Sequence, residues 1–316
     1  MIPRVIDVSV IIVNYNSFKL LKACLESIIH HSQGFEFEII VVDNNSTDGD
    51  IELITNEFEN IKLIKNEKNE GFAKANNRGS EIAEGKYLLL LNNDVEFFQN
   101  SIKDIFDFME KRECEQLVGC KLLNKDYSIQ TSVHSFPTLL NVVGANFFLY
   151  KIFPNSPLVN KNYLMKKAIK DPTNTIEVEA LFGAFLFLLK KSFIDLDGFD
   201  ENFHFYHEDT DFCFRFKKKL GSVIYFKSTA IIHYGGGTSQ KYLWFHYKNR
   251  TLSILKYMKK HFSTGSFLLA AFSHYLGLLL RFPINLLIGL MTLDKEMILK
   301  AFYLFRCLFV IPTKNY

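Results

Sequence analysis

The chain alternates short, largely apolar runs with stretches in which apolar residues recur every three or four positions. Residues 8–13 (Val-Ser-Val-Ile-Ile-Val) have the length and composition of a buried strand. Leu21, Cys24, Leu25 and Ile28 follow at helical spacing, with Ser17 placed as an N-cap. Residues 37–42 predict a second strand, and a helix beginning near Ser46-Thr47-Asp48 would carry Ile51, Ile54 and Phe58. Residues 61–64 predict a third strand, 73–83 a helix, and 87–91 (Tyr-Leu-Leu-Leu-Leu) a strand buried on both faces. Ile102, Ile105, Phe106 and Met109 mark one face of a further helix. Strands alternating with helices imply right-handed crossovers and a parallel sheet.

Residues 124–175 are irregular and rich in Asn, Pro and Lys, which predicts loops and short helices forming a lid or an acceptor surface. The core resumes at 178–189. A helix is expected from about 208 to 220, with Gly221 as its stop, then strands at 223–226 and 229–232.

Beyond Gly265 the pattern changes. Residues 267–280 are almost wholly apolar; Arg281 and Pro283 follow, then apolar stretches at 284–293 and 297–311, the last broken by Lys300 and Arg306. A spanning helix needs about 20 apolar residues, so 267–280 is too short and Pro283 interrupts its extension. Lys256, Lys259, Lys260 and His261 stand just before it. A basic patch followed by short apolar segments predicts helices lying in a membrane interface rather than spanning it. The alternative is a buried helical pair covering the rest of the chain. Residues 1–255 are therefore expected to form one domain and 256–316 a C-terminal helical, membrane-associating segment.

Composition adds exclusions. The 316 residues suffice for a large core, and a net charge of +3 is too mild for a nucleic-acid reader. The five cysteines are odd in number and include no CxxC pair, which argues against a disulfide framework or a zinc site and fits a reducing, cytosolic setting. The first strand begins almost at once, so no signal peptide is expected ahead of it.

The polar clusters fall where the predicted strands end. Asn14-Tyr15-Asn16 closes the first, Asp43-Asn44-Asn45-Ser46 the second, Asn69-Glu70-Gly71-Phe72 follows the third, and Asn92-Asn93-Asp94 closes the fourth. Asn and Asp favour turns and caps, so any one cluster is ordinarily structural. Four on successive strands mark the carboxyl edge of an α/β sheet, where ligands bind. Together they can hold a nucleotide, with a hard cation taking oxygen ligands beside its diphosphate. No GxGxxG follows the first strand and no GxxxxGK[ST] occurs, which argues against a dinucleotide site and a P-loop. Further on, His207-Glu208-Asp209-Thr210-Asp211 opens a helix among Phe203, Phe205, Tyr206, Phe212 and Phe214. Acids stabilise a helix start, yet acids among aromatics also gain proton affinity, which suits a general base. His233 precedes Gly235-Gly236-Gly237, a glycine run able to approach a ligand closely.

In this order the residues resemble family 2 glycosyltransferases of the GT-A fold, most closely bacterial rhamnosyltransferase-type members. The matching stretches are VSVIIVNYNS, EIIVVDNNSTDGD, NEGFAKANNRG, YLLLLNNDV, GFDENFHFYHEDTDFCFR and IIHYGGGTS, spread over roughly residues 6–255. The resemblance implies an α/β, Rossmann-like and mostly parallel sheet flanked by helices, with the apolar helical segment appended. It implies inverting, Mg²⁺- or Mn²⁺-dependent transfer from a nucleotide sugar to a glycan. Asp43 matches the acid that reads the base. Asp94 matches the last acid of the DxD-type metal motif, and His233 the histidine that completes the metal shell. Asp209, second of the Glu208-Asp209 pair, matches the catalytic base, and Glu208 beside it is the other catalytic candidate. Asn92 stands at the first position of the metal motif, a departure from the two-acid form. Asn14, Asn16, Asn45, Asn69, Gly71, Phe72, Asn76, Asn92 and Asn93 join Asp43 as candidates to hold the nucleotide sugar. The resemblance leans towards dTDP-rhamnose, with UDP-sugars open. The apolar C-terminal stretches point to a polyprenyl-linked acceptor and a peripheral place on the inner face of the cell membrane. A sugar nucleotidyltransferase is the enzyme alternative, and an inactive glycan-binding protein of the same fold the other.

Overall fold

The computed structural model describes residues 5–58, 61–112, 114–160, 162–235 and 243–311. The chain divides into two compact units. The first comprises Met1–His134, Met165–His204 and Glu208–Thr238, and the second Ser135–Leu164, Phe205–His207 and Ser239–Tyr316. One continuous helix, Leu243–His261, runs through the boundary expected at 255/256. Much of the irregular middle, 135–164, belongs to the second unit.

The first unit is built on strands β1 (Val8–Asn14), β2 (Phe37–Asp43), β3 (Ile61–Lys65), β4 (Tyr87–Asn92), β5 (Val95–Glu96), β6 (Gln116–Leu123), β7 (Val133–His134), β8 (Thr175–Glu177), β9 (Ala180–Leu181), β10 (Phe185–Leu189) and β11 (Ser222–His233). The main sheet runs β3-β2-β1-β4-β10-β6-β11-β5, with β8 also against β11, while β7 and β9 pair separately. It is mixed. The β3-β2-β1-β4 half is parallel, as is β6 with β11, but β10 runs antiparallel between β4 and β6. Because β10 is antiparallel to both, β4, β6 and β11 point the same way.

Helices α1 (Phe18–His31), α2 (Leu53–Glu57), α3 (Phe72–Glu81) and α4 (Ser101–Glu110) link the early strands, and α8 (Lys190–Asp195) and α9 (Glu208–Lys219) the later ones. Leu21, Leu25 and Ile28 of α1 and Ile102 and Ile105 of α4 bury against Val10, Ile12, Leu89, Leu91 and Phe187 in one continuous core. On the other face α3 comes close at Gly79, where a Cβ would stand 2.6 Å from Ile11 Cγ2. The helix expected from Ser46 begins only at Leu53. Ser46 and Thr47 are instead held by Asp43 and Asn16, so their polar groups serve the loop rather than a helix start. The two strands expected at 223–226 and 229–232 are one, β11, with a register irregularity between Phe226 and Ala230.

Pairing levels the strand ends. Asn14 stands opposite Asp43, and Val13 opposite Asn92. His233, at the end of β11, stands opposite Val95, just beyond β4. Sequence motifs from four strands thus reach one edge.

The second unit is helical. Its helices are α5 (Leu139–Asn146), α6 (Leu149–Ile152), α10 (Leu243–His261), α11 (Thr264–Thr292) and α12 (Lys295–Cys307); α7 (Tyr163–Lys170) starts in it and ends in the first. Pro283 does not end the apolar helix as expected: α11 runs straight through it. Proline removes one backbone bond, but both flanks are fastened to α12. Leu278 and Phe282 pack with Leu304 and Cys307 on one side of Pro283, and Gly289 closes on Ile298 on the other. Asp294 caps α12, accepting from the N–H groups of Glu296 (2.9 Å) and Met297 (3.1 Å). At 29 residues, α11 is the one described helix long and apolar enough to cross a membrane. Phe272, Leu287, Met291 and Phe302 are all more than half exposed.

Candidate active site

The first strand-end cluster is knitted by amides. The Asn14 side chain donates to Asp43 Oδ1 (2.9 Å) and to Ser46 Oγ (3.1 Å), while its own oxygen accepts from Asn93 Nδ2 (2.7 Å). Asp43 also accepts from the Ser46 N–H (2.9 Å) and hydroxyl (2.6 Å). These bonds lock the ends of β1, β2 and β4 into one polar floor in which Asn14, Asp43 and Asn93 are buried. Asn16 accepts from the Thr47 N–H (2.8 Å), tying the β1 loop to the β2 loop. Asn45 lies beside this floor in a left-handed turn (φ +64°) with its side chain exposed. A third layer runs from Arg78 to Asn66 to Asn44 to the Gly71 carbonyl.

The Asn69 loop is equally specific. Asn69 accepts from the Gly71 N–H (3.0 Å), and Gly71 adopts φ +85°. A Cβ on Gly71 would sit 2.6 Å from His204 Nδ1 and 2.7 Å from the His204 carbonyl, so only glycine fits. Phe72 packs on Phe199 (5.9 Å between ring centres). Asn76 is fully buried and its amide donates back to the Phe72 carbonyl (2.9 Å), bracing the start of α3.

At the end of β4, Asp94 meets His233. Asp94 Oδ1 and His233 Nε2 are 3.3 Å apart, and Asn92 Nδ2 lies 3.3 Å from the same nitrogen. The Tyr234 N–H donates to the Asp94 carbonyl (2.9 Å), clamping the two strand ends. Gln130, from the loop after β6, lies 2.6 Å from His233 Nδ1. Among the described residues, no group of three or more His, Cys, Asp or Glu gathers to hold a metal alone. A carboxylate oxygen and an imidazole nitrogen this close are nevertheless donors that Mg²⁺ or Mn²⁺ accepts, and two protein donors leave most of a six-membered shell for phosphate oxygens. The residues present fit such an ion on that basis. Gly236 and Gly237 of the expected loop lie outside the described residues.

Asp209 sits at the start of α9, half-exposed. Its Oδ2 accepts from the Gly183 N–H (2.9 Å) and its Oδ1 from the N–H (2.6 Å) and hydroxyl (3.1 Å) of Thr210. Thr210 Oγ1 lies 3.0 Å from His134 Nε2. Gly183 is the key to where Asp209 stands. The next residue, Ala184, accepts the Asn92 N–H through its carbonyl (3.1 Å). Two adjacent residues therefore bridge the end of β4 to the Asp209 carboxylate. A Cβ on Gly183 would lie 3.4 Å from Asp209 Cβ and 3.7 Å from the Phe72 ring, so the Asn69–Phe72 loop meets the same strap. Asp43, Asp94, His233 and Asp209 thus share one end of the sheet. Glu208, beside Asp209, is buried, with Oε2 lacking a hydrogen-bond partner. Burial, and then the neighbouring Asp209 charge, push its carboxyl well above the usual carboxylate range.

A sequence profile of glycosyl transferase family 2 matches residues 9–177, more than half of the chain. The chain belongs to glycosyl transferase family 2. Similar curated proteins include the N-acetylglucosaminyl-diphospho-decaprenol L-rhamnosyltransferase of Mycobacterium tuberculosis, 24% identical over 207 residues that make up 62% of this chain and 66% of that protein. The poly(ribitol-phosphate) beta-glucosyltransferase of Bacillus spizizenii is 28% identical over 117 residues, 35% of this chain and 18% of that one. The chain thus matches just under two thirds of the first relative and a smaller part of the second. Among solved structures, GalNAc-T7, crystallised with UDP, GalNAc and Mn²⁺, superposes with a TM-score of 0.57 at 16% identity, over 80% of this chain and 50% of that one. S. aureus TarS 1–349 gives 0.51 at 17% identity, over 96% and 81%. These likenesses show the GT-A fold.

For a family 2 chain, the motifs hold the floor residues, Ser46 and Arg78 among them, and the Asp94–His233 pair, but do not state which side chain braces which. Ser46, Asn66 and Arg78 brace the floor, and Gly183, Thr210 and Gln130 hold the acid and the imidazole. Gly183 and Gln130 carry no local signal beyond their residue type. Thr210 stood inside the acidic run, and its role follows only from the position of His134.

Proposed function

We propose that this chain is a glycosyltransferase that moves a sugar from a nucleotide-activated donor to a glycan hydroxyl in one inverting displacement. The single observation that carries this reading is the two-residue strap, Gly183 and Ala184, which holds the Asp209 carboxylate beside the strand end bearing Asn92, Asn93 and Asp94. A base so placed can take the proton from an acceptor hydroxyl as that oxygen attacks the anomeric carbon. The buried amides of Asn14 and Asn93 and the carboxylate of Asp43 line the side suited to the base and ribose. Asp94 and His233 would hold a divalent cation on the diphosphate side. When bound, that ion supplies Lewis-acid stabilisation of the charge developing on the leaving diphosphate. Burial raises the proton affinity of Glu208, which disfavours a second negative charge beside the base.

The relatives whose names specify rhamnose transfer to a decaprenyl-linked sugar and glucose transfer to a poly(ribitol phosphate) support a surface glycan as the product's destination. dTDP-rhamnose is the first donor to try and UDP-sugars the next. The test is which product leaves. Transfer releases a nucleoside diphosphate, whereas a nucleotidyltransferase releases pyrophosphate and an inactive glycan binder releases neither. Pyrophosphate, or no turnover of any donor with any glycan acceptor, would remove the proposal.

The acceptor reading places the enzyme on the inner face of the cell membrane through its second unit. Support comes from the exposed apolar side chains of α11 and α12 and the cations Lys259 and Lys260 in the last turn of α10. Burying one large apolar side chain contributes about 1.5–3 kcal/mol. Phe272→Glu with Leu287→Glu is therefore expected to lower co-sedimentation with anionic vesicles at least tenfold. Unchanged co-sedimentation, or none by the unaltered chain, would refute the membrane contact.

A further inference from the structure

We infer that Gln130 is a positioning residue that fixes His233 in the tautomer whose Nε2 carries a lone pair rather than a proton on the side of Asp94 and the Asn92 amide. The inference deepens the metal reading above and rests on it. Gln130 sits on the return of the 124–128 turn after β6, anchored by its own N–H to the Leu122 carbonyl (2.9 Å). Its Nε2 lies 3.2 Å from the backbone carbonyl of His233 and 3.0 Å from Asn124 Oδ1. A backbone carbonyl only accepts, so the side-chain amide nitrogen must be the atom that faces it. That orientation turns Oε1 towards His233 Nδ1, 2.6 Å away. An amide oxygen also only accepts, so Nδ1 carries the ring proton. A neutral imidazole has one N–H, and Nε2 is left with a lone pair.

The consequence lies at Asp94. Nε2 faces Asp94 Oδ1 at 3.3 Å, with Asn92 Nδ2 at 3.3 Å on the other side. In the opposite tautomer, Nε2–H would donate to the carboxylate and close the pair on itself. With the proton on Nδ1, two electron-pair donors face each other, an arrangement that a cation between them relieves. Hydrogen bonding of the remote ring nitrogen is how proteins commonly orient a metal-ligating histidine and set its basicity. Gly235 (φ +61°) completes the arrangement, since a Cβ there would press on Gln130 Nε2 at 3.3 Å.

The rival role for Gln130 is structural, tying the turn to β11 through its amide nitrogen. Two variants of the full chain separate them. Gln130→Glu keeps an acceptor for Nδ1–H and loses both amide donations, whereas Gln130→Leu loses everything. The first measurement is the ring ¹⁵N spectrum of metal-free protein at alkaline pH, where imidazole is neutral, with His233→Asn used to assign the signals. The wild type and Gln130→Glu are expected to show Nδ1–H, and Gln130→Leu a shift towards Nε2–H. The second is Mn²⁺ affinity by electron paramagnetic resonance with UDP as the added diphosphate. Gln130→Leu is expected to bind Mn²⁺ about 10–100-fold more weakly, with Gln130→Glu close to wild type. Nε2–H in the wild type, or wild-type tautomer and affinity in Gln130→Leu, would overturn the inference; so would Gln130→Glu failing as badly as Gln130→Leu. Nδ1–H in a wild type that binds no Mn²⁺ with UDP would sink the metal reading and the purpose of the tautomer with it, while leaving the hydrogen bond in place.

Discussion

Replacing Asp209 by Asn is expected to cut sugar transfer by about 10²–10⁴-fold, the range a positioned general base contributes, while donor affinity stays within a few fold. The substitution removes the proton acceptor. It also reverses one hydrogen bond, because both carboxylate oxygens accept from N–H groups, Gly183 on one side and Thr210 on the other. One of these donors would then face the new side-chain NH₂, at a cost of about 1–3 kcal/mol if it stays unpaired. A melting curve should therefore accompany the rate measurement, to separate lost chemistry from lost fold. Glu208→Gln is the matched control. Burial pushes the Glu208 carboxyl well above the usual carboxylate range, and Gln matches the shape of its side chain. Its transfer rate is expected within about tenfold of wild type, a loss smaller than that of a general base. Asp209→Asn turning over normally, measured as nucleoside diphosphate released, would remove Asp209 from the mechanism.

Chelation is the second large effect. EDTA followed by dialysis is expected to stop transfer, and Mn²⁺ or Mg²⁺ to restore it. A Lewis-acid ion contributes several kcal/mol to stabilising a developing charge, and each 1.36 kcal/mol is tenfold in rate, so the loss should reach about 10³-fold. Asp94→Ala is expected to reproduce the loss without recovery at ordinary metal concentrations, because only His233 remains beside the diphosphate. Transfer that persists undiminished in the chelator would refute the ion, and with it the role given to the Asp94–His233 pair.

The parts of the site legible in the sequence share one physical origin. Strands buried on both faces read as nearly continuous apolar runs, so their ends are sharp, and a polar cluster after each marks the same sheet edge. Asn14, Asp43 and Asn92 were predictable neighbours because parallel strands of similar length finish level. The helix expected at Ser46 failed for a related reason: Ser, Thr and Asp at a chain reversal serve a loop as readily as a helix cap, and here Asp43 and Asn16 claimed Ser46 and Thr47 while Asp48 accepts from the Phe18 N–H. Pro283 misled because a local helix breaker was outweighed by packing against α12 that only tertiary structure supplies. The antiparallel β10 hid behind an apolar run whose direction composition does not state. Gln130 and Gly183 were invisible because their roles depend on what lies across from them, 103 residues away for Gln130 and 26 for Gly183.

The central claim, one cleft serving Asp43, Asp94, His233 and Asp209, is tested most directly by a crystal structure of the chain with Mn²⁺ and a non-transferable nucleotide-sugar analogue. The expected result is the base beside Asp43, the diphosphate and ion between Asp94 and His233, and the anomeric carbon turned towards the Asp209 carboxylate. A donor seated away from the carboxyl ends of β1, β2 and β4, or with its anomeric carbon turned from Asp209, would contradict it.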